Sequence, residues 1–140
     1  KISEFIYVPT QRLLSDPKWK SVSDDLGLMF DDFANGDNAD VITKAHRVVQ
    51  RFLQISVGEE GKNGSSEMGK LLNEAKTSGL LPKDRFTEPM INVIQSFIVS
   101  ERATKSNAKP ALSNPTDKDA LLVMNVVMVL LQHCLSATKE

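Results

Sequence analysis

Apolar residues recur at spacings of three and four along most of the chain, which is the pattern of helices with one buried face. The first clear stripe follows Asp16-Pro17, where aspartate can cap a helix and proline fits its first position. The stripe stops at Asn35-Gly36, because glycine readily adopts the left-handed conformation that ends many helices. The apolar members of this stripe are Trp19, Val22, Leu26, Met29, Phe30 and Phe33.

The same pattern predicts further helices. One runs from about Ala39 to Ser56, a shorter one from about Ser66 to Ser78, and another from near Thr87 to about Thr104. A short helix over roughly Pro9 to Leu14 is also predicted. The first eight residues fit either a helical turn or an extended arm, and the pattern does not decide between the two.

The last predicted helix, from about Asp117 to Ala137, is apolar on nearly all sides. Between Leu121 and Leu135 only Asn125, Gln132 and His133 are polar. Such a helix is buried either in protein or in lipid. Fifteen residues extend only about 22 Å, less than a bilayer core of about 30 Å. We therefore expect no membrane span, and we place this helix inside the protein.

Together these elements predict an all-α fold: a compact bundle of five or six helices with the apolar C-terminal helix at its centre. The 140 residues fit a single domain, residues 1–140. The chain begins with lysine and shows no signal-peptide pattern, so we expect a domain excised from a larger protein.

Composition narrows the functional classes. The formal net charge of −1 argues against strong overall attraction to nucleic acid or to an anionic membrane. A single cysteine, Cys134, allows no intrachain disulfide and fits a reducing compartment. The expected location is therefore intracellular, in the cytoplasm or the nucleus.

Motifs that would indicate catalysis or a cofactor are missing from the sequence. It has no phosphate loop, dinucleotide fingerprint or nucleophile elbow, so we expect no enzyme activity and no cofactor. Residues 31–42 resemble a calcium loop through Gly36, but Phe33, Ala39 and Ile42 occupy places where that loop needs ligands. We therefore expect no metal site. His133 and Cys134 are neighbours on one helix, point about 100° apart, and cannot form a dyad.

The arrangement of charges is the best remaining indication of a site. Two pairs of aspartates are seven residues apart on the first long helix, and three basic residues share a face of the next. We expect an acidic side and a basic side that bind an oppositely charged partner, although ordinary solvated helix faces also fit. The candidate partner-binding residues are Asp24, Asp25, Asp31, Asp32, Lys44, Arg47 and Arg51.

These observations predict a non-catalytic protein-interaction domain, either an adaptor or an assembly domain. It would present charged helix faces or a groove to another protein, to a peptide or to a copy of itself. The alternative is nucleic-acid or ribonucleoprotein binding through a basic face. That face would comprise Lys44, Arg47, Arg51, Arg102 and Lys105. A carrier for a small apolar ligand is a third hypothesis.

Overall fold

A computed structural model describes residues 7–58, 68–105 and 114–137, without the side chains of residues 98–105 and 137. Within these residues the chain forms helices and turns and contains no strand. The helices are α1 (Val8–Leu13), α2 (Lys20–Ala34), α3 (Asn38–Ser56), α4 (Met68–Thr77), α5 (Thr87–Lys105) and α6 (Asp117–Ala137). The predicted all-α bundle is confirmed. Val8 belongs to α1, and residues 1–6 lie outside the described part of the chain.

Local sequence signals explain most helix ends. The Asp16 carboxylate accepts a hydrogen bond from the backbone N–H of Lys18, and a short 3₁₀ helix, Pro17–Trp19, leads into α2. Thr116 and Asp119 form a reciprocal capping box at the start of α6. The Asp119 N–H donates to Thr116 Oγ1 at 3.2 Å, and the Thr116 N–H donates to Asp119 Oδ2 at 2.9 Å. Gly36, with φ of 77°, turns the chain between α2 and α3.

Helices α3 and α6 run side by side and start at the same end of the bundle. The Asn38 side-chain amide, in the first turn of α3, donates to Pro115 O at 3.3 Å and to Asp117 Oδ1 at 2.9 Å. Helix α6 packs against α1, α2, α3 and α5, while α2 and α4 pack against α3. The core is continuous across these contacts, and Trp19 stacks on Phe52 with ring centroids 5.1 Å apart.

Helix α6 is buried on one side only. Half of the segment Asp117–Ser136 is enclosed by the rest of the domain. Val127 and Leu131 have no exposed surface, whereas Leu122 is 58% exposed. The apolar C-terminal helix therefore completes the core with one face and leaves its opposite face open.

One pair of substitutions tests this one-sided burial. Leu131→Ala should lower the free energy of unfolding by about 3 kcal/mol, because it leaves a cavity in the core. Leu122→Ala removes the same atoms from the same helix but should cost less than about 1 kcal/mol. Urea unfolding at low protein concentration measures both effects. Equal losses would contradict the described packing.

Candidate interaction surface

The charged residues predicted on the first two long helices meet across the interface between α2 and α3. Arg51 Nε lies 3.4 Å from Asp25 Oδ2. Lys44 Nζ lies 3.5 Å from Asp32 Oδ2 and 2.6 Å from Asp40 Oδ2. Asp25 and Asp32 are seven residues apart, as are Lys44 and Arg51, so the reversal of the chain brings them into register. We call these five residues the α2–α3 charge cluster.

The expectation of separate acidic and basic sides is therefore wrong for four residues: Asp25, Asp32, Lys44 and Arg51. Their helices pack together, so the opposite charges neutralise each other within the domain. Asp25 is 6% exposed, and it needs its partner because an unpaired buried carboxylate is costly.

The other charged candidates lie at the surface. Asp24, Asp31 and Arg47 are exposed, and Asp24 accepts a hydrogen bond from Lys20 Nζ at 3.0 Å. Partner binding by these residues stays a prediction. Arg102 and Lys105 of the alternative basic face lie in the last turns of α5, where side chains are outside the described structure.

Burial and hydrogen bonding shift two ionisable groups of the charge cluster. Desolvation raises the pKa of Asp32, and the neighbouring Asp40 carboxyl group raises that pKa further because two negative charges close together repel. Hydrogen bonding to Asp40 raises the pKa of Lys44, which is charged at neutral pH. Carboxylate oxygens of Asp32, Asp37 and Asp40 lie within 4.8 Å of one another, close enough to share one cation. The Lys44 ammonium, 2.6 Å from Asp40 and 3.5 Å from Asp32, provides a positive charge beside these carboxylates.

Asp84 joins the start of α5 to the end of α6. Its Oδ1 accepts hydrogen bonds from the N–H groups of Phe86 and Thr87, both at 2.9 Å, and from the Thr87 hydroxyl at 3.0 Å. Its Oδ2 lies 2.8 Å from His133 Nε2. The two backbone bonds, followed by the bond to His133, hold the pKa of Asp84 well below its usual range.

His133 and its chain neighbour Cys134 lie in different environments. The His133 side chain is 46% exposed, whereas Cys134 is 1% exposed. Burial raises the pKa of the Cys134 thiol to about 12, and the charge of Asp84 contributes to the same shift. At neutral pH the cysteine is a buried thiol that packs in the core.

The open face of α6 carries a regular row of side chains. Its members follow one another at alternating spacings of four and three, so they share one side of the helix. This row lies opposite the buried residues Ala120, Val127 and Leu131. Two of its members are large and apolar, Leu122 at 58% and Val129 at 47% exposed. We call the row the α6 seam: Lys118, Leu122, Asn125, Val129, Gln132 and Ser136.

Helix α5 adds a second apolar stripe. Phe86, Met90, Val93 and Phe97 follow at spacings of four, three and four, and therefore share one side of the helix. Phe86 is 57% and Val93 is 39% exposed, while Met90 and Phe97 pack partly against the core. The Asp84–His133 contact joins the start of this stripe to the last turns of α6. We call Phe86, Val93, Leu122 and Val129 the α5–α6 face.

A membrane is the other environment to consider for helix α6. Residues Asp117–Ser136 are long and apolar enough to cross a membrane by length and composition. This segment is longer than the fifteen apolar residues on which the expectation of no span was based. Half of it is enclosed in the domain, and core helices of water-soluble proteins have the same composition. The absence of a membrane span therefore stays a prediction.

Comparison of the chain with protein-family models, curated proteins and solved structures finds no match. The geometry of the described residues is therefore the basis for assigning a function.

The α2–α3 charge cluster should contribute to stability through its buried member. Arg51→Met should lower the free energy of unfolding by about 1–2 kcal/mol, because it leaves the buried Asp25 carboxylate without this partner. Lys20→Met removes the exposed pair with Asp24 and should cost less than about 0.5 kcal/mol. Urea unfolding of both variants at pH 7 is the measurement. An unchanged free energy of unfolding in Arg51→Met would contradict a stabilising pair between Arg51 and the buried Asp25.

The low pKa of Asp84 predicts a direction of pH dependence. A carboxyl group with a lowered pKa in the folded state stabilises the fold above its unfolded pKa of about 3.9, and this contribution is lost as the pH falls toward the folded value. The stability difference between wild type and Asp84→Ala should therefore shrink as the pH falls below about 4. A difference that stays unchanged between about pH 4 and about pH 2 would show that the carboxylate is not held as described.

Proposed function

We propose that this domain is a non-catalytic protein-interaction module that binds its partner through the α5–α6 face. The observation that carries the proposal is the open side of α6, where Leu122 and Val129 are 58% and 47% exposed. Leu122 and Val129 lie two turns apart on the same side of α6, and groups of exposed apolar side chains mark interaction sites more often than single ones do.

The energetics fit reversible binding. Full burial of a leucine or valine side chain is worth about 1.5–3 kcal/mol, and about half of that remains to be gained at Leu122 and Val129. Phe86 and Val93 add similar amounts, for a gross gain of roughly 3–6 kcal/mol. Association itself costs roughly 4–15 kcal/mol. By itself this face can therefore hold a partner only weakly, and a stable complex needs further contacts around it.

The positions of the charged residues favour the α5–α6 face over the charged surface of α2 and α3 as the binding site. Lys44 and Arg51 are engaged with carboxylates inside the domain, so they are poorly placed to recruit an acidic partner or a nucleic acid. On the α6 seam the only charged residue is Lys118. Recognition there would depend on apolar contact, with the exposed Asp24, Asp31 and Arg47 available for long-range steering.

Site-specific photo-crosslinking in cells tests the proposal. A photoreactive amino acid at position 122 should give a discrete protein adduct, because the partner covers that side chain. The same amino acid at position 28 is the matched control, since Leu28 is 45% exposed on α2. Adding Val129→Glu should abolish the adduct from position 122.

Two results would contradict the proposed function. Position 122 giving no more protein adduct than position 28 would remove the basis for choosing the α5–α6 face. Adducts with lipid alone would show that the open side of α6 lies against a membrane.

A further inference from the structure

A cleft lies where the end of α1 and the 3₁₀ helix Pro17–Trp19 meet the last turns of α6. Its volume is about 490 Å³, within the range of roughly 300–1,000 Å³ that is typical of sites for small molecules. It shares no lining residue with the α5–α6 face. We call it the Trp19 cleft, after the aromatic residue in its lining. The lining residues that bear on binding are Arg12, Leu13, Asp16, Lys18, Trp19 and Leu135.

The floor of the Trp19 cleft is apolar and fixed by the core. Trp19 and Leu135 are 6% and 5% exposed, and Leu13 packs partly against the core. Phe52 stacks on the Trp19 ring with centroids 5.1 Å apart, so the indole is held in place without a ligand. A preorganised floor of this kind binds the apolar part of a molecule without a further cost of ordering side chains.

Two cations border this floor. Arg12 and Lys18 are exposed, and Lys18 Nζ lies 4.9 Å from the centre of the Trp19 ring, in a cation–π contact. Neither cation forms an ion pair with a carboxylate of the described residues. Asp16, the carboxylate in the lining, accepts a hydrogen bond from the backbone N–H of Lys18 at 3.0 Å. Two cations and one carboxylate leave the lining with a positive net charge.

The two other clefts lack this combination. The cleft along α5 has a volume of about 550 Å³, but none of its lining residues is buried, so it has no apolar floor. The cavity between Lys76 and Thr87 is only about 170 Å³, below the usual size of a ligand site. Exposed cations are common at protein surfaces; the Trp19 cleft differs because its cations adjoin a concave, buried aromatic floor.

From this floor and the two cations beside it, we infer that the Trp19 cleft binds a small organic anion, a carboxylate or phosphate attached to an aromatic or aliphatic group. The apolar group packs on Trp19 and Leu135. The anionic group accepts charge-assisted hydrogen bonds from Arg12 and Lys18. This inference does not rest on the proposed function, because partner binding by the α5–α6 face uses other residues.

Titration monitored by NMR tests the inference, using 2-naphthoate and 2-naphthyl phosphate as probes. Trp19 is the only tryptophan, so the single indole N–H signal reports on the cleft. Either probe should shift this signal and the methyl signals of Leu13 and Leu135 in a saturable way, with a dissociation constant of about 1 mM or below. The neutral 2-naphthamide has a similar shape and should bind at least about 5-fold more weakly than 2-naphthoate, because it carries no charge.

A pair of double variants tests the two cations. Arg12→Gln/Lys18→Gln should weaken binding of both anions at least about 5-fold and remove their advantage over the amide. Arg47→Gln/Lys70→Gln is the matched control, since it removes one exposed arginine and one exposed lysine from α3 and α4. It should leave binding unchanged. Circular dichroism confirms that both variants are folded.

Four results would overturn the inference. The first is an indole signal that does not move up to about 10 mM of either anion. The second is equal binding of the amide, and the third is an equal loss in both double variants, which would indicate an effect of net charge alone. The fourth is a set of shifts confined to Leu122 and Val129, which would place the probe on the α5–α6 face. Photo-crosslinking from position 122 is independent of all four, so the proposed function stands or falls separately.

Discussion

The packing of α6 against α3 is the contact on which the rest of the structure depends. The two helices begin together, through the bonds from Asn38 to Pro115 and Asp117, and α1, α2 and α5 pack against the same α6. Because those neighbours cover only about half of α6, the apolar composition of the helix exceeds what the core requires. The remaining apolar side chains lie at the surface, and this excess is the physical reason for assigning an interaction surface there.

Helices α2 and α3 form a helical hairpin whose charged residues pair within the domain. Asp25 pairs with Arg51 and Asp32 with Lys44, and Asp25 is nearly fully buried. Buried ion pairs add little net stability compared with apolar packing, but they penalise any arrangement that separates them. The α2–α3 charge cluster therefore favours one register in the packing of α2 against α3.

Local signals predicted most of the fold. Asp16, Gly36 and the Thr116–Asp119 capping box act within a few residues of the helix ends that they define, so they are visible without the tertiary structure. Contacts between distant residues were not predictable in the same way. His133 meets Asp84 across 49 positions, and the pairing of Asp25 with Arg51 requires knowing which faces of α2 and α3 pack together.

The α6 seam was missed although a signal for it exists. The three polar residues between Leu121 and Leu135 are Asn125, Gln132 and His133, and all of them fall on the less buried side. The dominant apolar composition obscured this bias, because a helix that is apolar nearly all round gives a weak periodicity.

Methyl-labelled NMR spectra recorded with a soluble paramagnetic reagent test the central claim most directly, since they report the exposure of each apolar side chain separately. The account predicts strong broadening for the methyl groups of Leu122 and Val129, as for the exposed Leu28, and none for those of the buried Val127 and Leu131. Equal protection of Leu122 and Leu131 would contradict the claim that α6 buries one side and leaves the other open.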